Sequence, residues 1–138
     1  MPIGPGKYDD LCTQAREGAK ATGAVLIIME GNKGAGFSVQ APPELLMFIP
    51  GFLREIAKEM GGTIVPIGPG KYDGLCTQAR EGANATGAIL IIVEGRWGAG
   101  FSVQAPLELL RFLPEFLKGV AKEIELCYDK DNDVQSRN

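Results

Sequence analysis

The sequence predicts an α+β fold in which an α-β-β-α unit occurs twice and forms one body. The chain repeats itself at an offset of 64 residues, and 45 of the 59 positions in 2–60 are identical in 66–124. Each copy holds two stretches of helical periodicity and two β-branched apolar or alternating stretches. With 138 residues, 45% hydrophobic and 22% charged, the chain can build one ordinary core, whereas a single copy is small for that purpose.

The repeat also sets the expected domain limits. Residues 1–64 form the first repeat, residues 65–128 the second, and residues 129–138 a polar tail that we expect to be disordered. Two hairpins meeting edge to edge would give a four-stranded antiparallel sheet, with four helices covering at least one face and a pseudo-two-fold axis relating the copies. Val65 stands where the first copy has Met1, which fits two adjacent genes fused at a start codon. Sequence drift or an engineered join is the alternative.

The first element of each copy is predicted to be a helix, which spans Tyr8–Thr22 in the first copy and stops at Gly23. Asp10 and Lys20, the two positions that differ between copies here, fall on its polar face. The opposite face carries one narrow stripe at helical spacing. The members of this stripe are Tyr8, Leu11, Cys12, Ala15, Ala19 and Thr22.

Two strands are predicted next. Ala24–Glu30 is apolar up to its final glutamate and rich in β-branched residues, which is typical of a strand that is covered on both faces. Gly36–Ala41 alternates, with Ser38 and Gln40 opposite the apolar positions, which favours a half-exposed strand. The glycine-rich segment between them predicts a hairpin connection.

A second helix is predicted over Pro43–Met60, with an apolar face that covers about half of the helical wheel. Pro50 and its equivalent Pro114 interrupt this pattern, and because the apolar stripe stays in phase across them we favour a kink over a break. The apolar face is too wide for one copy to bury. We therefore expect it to pack against the other copy's helix or against another chain, and we expect self-association.

Composition excludes several function classes. A net charge of −3 and a sequence pI of about 5.0, with neither half basic, argue against binding a nucleic acid polymer. No apolar run approaches the length of a membrane span, and the N-terminal residues do not resemble a signal peptide. The odd cysteine count (Cys12, Cys76 and Cys127) indicates free thiols and a cytoplasmic setting.

Histidine does not occur in the sequence, which removes the commonest general base and the commonest metal ligand. Cys12 and Cys76 lie on the apolar stripe and are interpreted as packing residues. Asp129, Asp131 and Asp133 have the alternate spacing of a calcium loop but lack its glycine and its distal glutamate. We predict no catalytic residue, no metal and no cofactor.

Two glycine-rich segments are candidates for binding a small anion. The hairpin connection could lay backbone N–H groups against phosphates, and the segment before the first helix places Gly-Pro-Gly-Lys where N–H groups and the helix dipole favour negative charge. For both, the alternative is a purely structural turn or helix entry. The candidate ligand-binding residues are Gly4, Gly6, Lys7, Gly31, Lys33, Gly34, Gly36, Gly68, Gly70, Lys71, Gly95, Arg96, Trp97, Gly98 and Gly100.

The hairpin tip is the place where the copies differ most in chemistry. Asn32 and Lys33 in the first copy are replaced by Arg96 and Trp97, the chain's only tryptophan. Arginine and tryptophan are enriched at binding hot spots and both stack on planar groups. The second tip is therefore a candidate for an aromatic contact to a ligand or to a neighbouring chain, with an inert exposed turn as the alternative.

These features lead to three hypotheses about function. The first is a small non-catalytic module that binds a small anionic ligand, such as a nucleotide, at the glycine-rich hairpins and helix N-termini. The second is a protein–protein interaction or oligomerisation module that uses the apolar face of the second helix. The third is a small enzyme in which Glu30 and Glu94 form a carboxylate pair with different pKa values.

Overall fold

A four-stranded antiparallel sheet forms the centre of the protein in a computed structural model, which describes residues 6–62 and 72–136. The strand order is β2-β1-β3-β4, so each repeat contributes one central strand and one edge strand. This confirms the sheet predicted from the sequence. The strands are β1 (Gly23–Gly31), β2 (Gly34–Gln40), β3 (Gly87–Gly95) and β4 (Gly98–Gln104).

Helices cover both faces of the sheet. The described part of the chain contains four helices of ten residues or more and two of a single turn. They are α1 (Asp9–Gly18), α2 (Pro43–Leu46), α3 (Ile49–Gly62), α4 (Asp73–Gly82), α5 (Leu107–Leu110) and α6 (Leu113–Ser136). The core cluster on one face includes residues of α1 and α4, and the cluster on the other includes residues of α3 and α6. Strand β1 is accordingly buried from Gly23 to Met29, as its unbroken apolar sequence predicted.

The two repeats meet through β1 and β3 in a self-complementary register. Leu26 pairs with Leu90, its own equivalent in the other repeat. On either side the pairs are mirrored, because Gly23 opposes Val93 just as Met29 opposes Gly87. A two-fold axis between Leu26 and Leu90 would generate this register, as the predicted pseudo-two-fold arrangement requires.

Each hairpin tip also bonds to a helix of the other repeat. The Asn32 N–H donates to the Ala83 carbonyl, and the equivalent Arg96 N–H donates to the Ala19 carbonyl, both at 2.7 Å. Ala83 and Ala19 are the C-terminal caps of α4 and α1, whose carbonyls lack partners within the helix. The tips therefore fasten the two repeats together.

Helices α1 and α4 approach each other closely at two glycines. A Cβ built on Gly18 would lie 2.7 Å from a methyl of Leu75, and one on Gly82 would lie 2.8 Å from a methyl of Leu11. Each leucine thus packs over a glycine of the other repeat, and a larger side chain at either glycine would have to displace it.

The wide apolar face of the second predicted helix is covered by its counterpart. Leu53, Ile56 and Ala57 of α3 are buried in one cluster with Leu117 and Val120 of α6. The other copy's helix therefore buries most of this face, and another chain is not required for it.

The first predicted helix ends earlier than expected. It ends at Gly18, short of the predicted stop at Gly23, because Lys20 adopts a left-handed conformation with φ of 50°. The N–H groups of Lys20 and Ala21 then bond to carbonyls of the preceding turn at 3.0 and 2.9 Å, which is a Schellman ending. The second repeat ends its helix the same way, with Asn84 at φ of 49°.

The second predicted helix is broken rather than kinked, so that prediction is wrong. A turn at Met47 and Phe48 separates α2 from α3. Pro50 is the second residue of α3, a position where a helix does not need the backbone N–H that proline lacks. Pro114 takes the same position in α6. The break therefore precedes the proline, and the proline starts a new helix.

Strand β2 is less exposed than its alternation predicted. Ser38 is buried because α1 lies over it, and its hydroxyl donates to Asp9 Oδ1 at 2.7 Å. The Gln40 side chain is half-buried and bonds to Thr13 and to the Arg16 Nε–H. The polar side of this strand thus packs against a polar strip of the helix instead of facing water.

Helix α6 runs to Ser136. Residues 129–136 are therefore helical where the sequence predicted a disordered tail. The alternate carboxylates at Asp129, Asp131 and Asp133 lie on helical backbone rather than in a loop.

Candidate functional site

The glycine-rich hairpin tip of the first repeat uses its N–H groups within the protein. The Lys33 N–H donates to the Tyr8 hydroxyl at 3.1 Å, and that hydroxyl donates to the Gly34 carbonyl at 2.6 Å. The neighbouring Asn32 N–H is bonded to Ala83. Of these two donors, the Lys33 N–H belongs to the candidate residues for binding a phosphate. Their bonds favour the structural interpretation of the tip.

The second tip repeats this arrangement. The Trp97 N–H donates to the Tyr72 hydroxyl at 3.1 Å, and that hydroxyl donates to the Gly98 carbonyl at 2.6 Å. Gly31 and Gly95 lie where a Cβ would be 2.5 Å from the tyrosine oxygen of their repeat, so both glycines admit the tyrosine. Gly36 and Gly100 are buried strand residues.

The described residues of the segment before α1, 6–8, do not offer an open anion site. Lys7 Nζ donates to the Ala35 carbonyl at 3.1 Å. Asp9 and Asp10 occupy the first turn of α1, so negative charge already complements the helix dipole there. An added anion would meet these carboxylates. Gly6 is described, with φ of 87°, whereas the candidate residues Gly4, Gly68, Gly70 and Lys71 lie outside the described residues.

Arg96 and Trp97 make contacts within the protein that the first tip does not offer. Arg96 Nη2 donates to the Gly18 carbonyl at 2.6 Å, at the C-terminal end of α1, where the helix dipole favours a cation. The guanidinium carbon lies 5.3 Å from the centroid of the Trp97 ring, and that ring lies 5.4 Å from the ring of Tyr72. Half of the indole (52%) stays exposed.

Glu30 and Glu94 do not form a pair. Val93 opposes Gly23 at the start of β1, so Glu94 lies beyond that end, whereas Glu30 lies near the other end of β1. At the rise of an extended strand the separation is about 20–25 Å. The hypothesis of a catalytic carboxylate pair is therefore wrong.

The two described thiols are inert. Cys12 and Cys76 are buried and free, and burial raises the pKa of each to about 11. The Cys12 Sγ lies 3.7 and 3.6 Å from the carbonyl oxygens of Ala24 and Ser38. The side chain of Cys127 lies outside the described ones. Among the described residues, no group of three acidic or cysteine side chains could hold a metal, and every buried polar side-chain atom has a partner.

An apolar groove of about 260 Å³ is the feature that the sequence did not reveal. It lies where the start of α3 in the first repeat meets the β3–β4 hairpin of the second, so neither repeat forms it alone. All of its lining residues are apolar. They are Leu45, Phe48, Ile49, Phe52, Val93 and Ala99.

Exposed apolar side chains mark this region of the surface. Phe48, in the turn between α2 and α3, is 66% exposed, and its neighbour Met47 is 54% exposed. Phe112, the equivalent of Phe48 in the second repeat, lies at the other end of the sheet and is 63% exposed. Large apolar side chains grouped on a surface mark interaction sites. Both phenylalanines belong to the apolar face that the sequence predicts for one long helix, but in the structure each lies in a turn between two helices.

The chain has no match among protein-family models, curated proteins or solved structures. Within the described residues, no helix combines the length and the apolar character needed to cross a membrane.

Proposed function

We propose that the protein is a non-catalytic interaction module that binds a partner protein by accepting one aromatic or large aliphatic side chain in the apolar groove. The observation that carries the proposal is the groove itself, which is lined entirely by apolar residues from both repeats, among them the exposed Phe48. Interface hot spots are built this way, with an anchoring side chain buried in a desolvated pocket.

The size and chemistry of the groove favour a side chain over a nucleotide. Its volume of about 260 Å³ is below the roughly 300–1,000 Å³ of sites that enclose small molecules. Such sites also place a few polar groups to orient the ligand, and the lining here offers none from its side chains. A phosphate would lose its hydration without gaining partners, whereas an apolar side chain would gain by leaving water.

Charge near the groove indicates the flanks of the partner segment. Along the chain, Glu44 precedes the lining residue Leu45 and Glu94 follows the lining residue Val93, and both glutamates are exposed. We therefore expect the anchoring side chain of the partner to be flanked by basic residues, which would speed association and make it sensitive to salt.

Site-specific photo-crosslinking tests the proposal. A photoreactive residue in place of Met47 in the full chain should give a discrete adduct with the partner protein. The crosslinked position in the partner should lie beside an aromatic or large aliphatic residue. A synthetic peptide of that segment should compete. Phe48→Ser should weaken peptide binding by about tenfold, a loss of roughly 1.4 kcal/mol.

The matched controls lie on the opposite layer. The same photoreactive residue at the exposed Glu17 of α1 should give no such adduct, and Gln14→Ser should leave peptide binding unchanged. The proposal is refuted if Met47 and Glu17 give the same adducts, or if the mapped segment is polar and its peptide does not compete.

A thermal-shift measurement with nucleotides separates this proposal from the anionic-ligand hypothesis. Because the tip N–H groups are bonded internally and α1 begins with two carboxylates, millimolar ATP or GTP should leave the melting temperature unchanged. A ligand at 100 times its Kd would add about 2.7 kcal/mol to the free energy of unfolding. A rise of several degrees would therefore favour the anionic ligand instead.

A further inference from the structure

We infer that the groove lined by Val93 is open while its counterpart at Met29, at the other end of the sheet, is closed, and that Val93 is the residue that keeps the first one open. This inference rests on the proposed function and specifies it. The pseudo-two-fold axis would place a second groove at the other end of the sheet. Any difference between the two ends must come from the side chains at the equivalent positions.

The equivalent positions of the other end are nearly the same residues. Of six lining positions, four are identical between the repeats and one exchanges Ile49 for Leu113. The remaining one exchanges Val93 for Met29, which has a longer side chain. The residues at the other end are Met29, Ala35, Leu109, Phe112, Leu113 and Phe116.

Met29 reaches over a glycine of the neighbouring strand, whereas the shorter Val93 does not. Met29 is buried, and its terminal methyl lies 2.9 Å from where a Cβ on Gly87 would be, so the side chain extends across the neighbouring strand. At Gly23, the equivalent of Gly87, the three nearest atoms belong to Gln40 and Ala41 and none to Val93. Val93 is itself partly exposed. An unbranched, flexible methionine is well suited to filling such a gap.

Two consequences follow for recognition. The protein should bind one anchoring side chain per chain, in spite of its near-symmetry. The size of the side chain at position 93 should decide whether an anchor is accepted, since each added methylene removes space that the ligand would occupy.

The test uses toluene, a mimic of the phenylalanine side chain, with the full chain labelled on its methyl groups for NMR. In the unmodified protein, toluene should saturate one site and shift the methyl signals of Leu45, Ile49 and Val93. Val93→Met should weaken this binding at least about tenfold. Met29→Val should add a second site that shifts Leu109 and Leu113.

Both substitutions copy the residue that the other repeat carries, so the fold should accept them. Val25→Ile, another exchange between repeats on a buried strand, is the matched control and should leave toluene binding unchanged. Equal shifts at both ends of the unmodified protein, or binding unchanged by Val93→Met, would overturn the inference.

The two proposals fail in distinguishable ways. If toluene binds as expected but no partner peptide competes for crosslinking at Met47, the asymmetry stands and the partner proposal fails. If crosslinking and competition succeed while toluene occupies both ends equally, the partner proposal stands and the inference about Val93 is wrong.

Discussion

Two equivalent residues with left-handed backbone conformations differ in type between the repeats. Lys20 and Asn84 occupy equivalent left-handed positions, with φ of 50° and 49°, and both are exposed. Asparagine reaches this conformation more easily than lysine, so the second repeat has the better helix ending. Glycine is the usual residue at the left-handed position after a helix, and for that reason the sequence predicted that the helix ends at Gly23.

Lys20→Gly should therefore stabilise the protein. Glycine adopts positive φ without the steric cost of a Cβ, and we expect a gain of about 0.5–1 kcal/mol in the free energy of unfolding. Urea denaturation followed by circular dichroism measures it. Asn84→Gly serves as the comparison and should gain less. A loss of stability on Lys20→Gly would show that the lysine side chain contributes more than its conformation costs.

The buried thiols predict a loss of stability in alkaline solution. Burial raises the pKa of Cys12 and Cys76 from 9.0 to about 11, so between these values the unfolded chain releases protons that the folded chain keeps. The free energy of unfolding should therefore fall as pH rises from 9 towards 11, by on the order of 1–2 kcal/mol for each thiol. Denaturation at pH 8, 9 and 10 tests this, and replacing both cysteines by alanine should reduce the slope.

At the scale of elements, the sequence predicted which segments are strands better than where helices end. β1 and β3 follow directly from unbroken apolar runs, and both are buried. Helix ends depend on contacts that periodicity does not contain. Apolar residues recur at one helical spacing on both sides of Pro50, which predicted a single helix. The structure has two separate helices there, α2 and α3, and both direct apolar residues towards the interior.

Pro50→Ala tests whether the proline only starts α3. Since the proline already occupies the first turn, its replacement restores no missing helix bond and mainly increases the freedom of the unfolded chain. We expect a loss of about 0.4–1 kcal/mol, with a similar loss for Pro114→Ala, both measured by urea denaturation. A clear gain in stability would indicate instead that α2 and α3 merge when the proline is removed.

At the scale of the whole molecule, the sheet could be predicted from the sequence repeat, whereas the groove could not. A duplicated hairpin suggests a four-stranded sheet on symmetry grounds alone. The groove combines Phe48 and Ile49 with Val93 and Ala99, which come together only after the repeats pair. In the sequence, the exchange of Met29 for Val93 replaces one aliphatic side chain by another, and the space that it controls exists only after the two repeats pair.

The second repeat expressed alone, as residues 65–138, should form a homodimer. Without the first repeat, β3 and the apolar side of α6 would face water, at a cost of several kcal/mol at about 25 cal/mol per Å². Residues such as Ile91 and Leu117, buried in the full chain, would be exposed. Size exclusion with light scattering should give twice the mass of the fragment, and Ile91→Lys should abolish the folded dimer. A folded monomer would contradict the idea of a shared core.

The pairing of Leu26 with Leu90 also governs assembly during folding. Every chain carries the same β1 and β3 edges. A β1 strand can therefore pair with β3 of its own chain or with β3 of another chain. What favours the intramolecular pair is tethering, which gives the second repeat an effective concentration on the order of millimolar. In dilute solution each chain should close on itself, with a stability independent of protein concentration. Refolding from concentrated denatured protein should instead yield exchanged dimers, in which each half pairs with the complementary half of another chain.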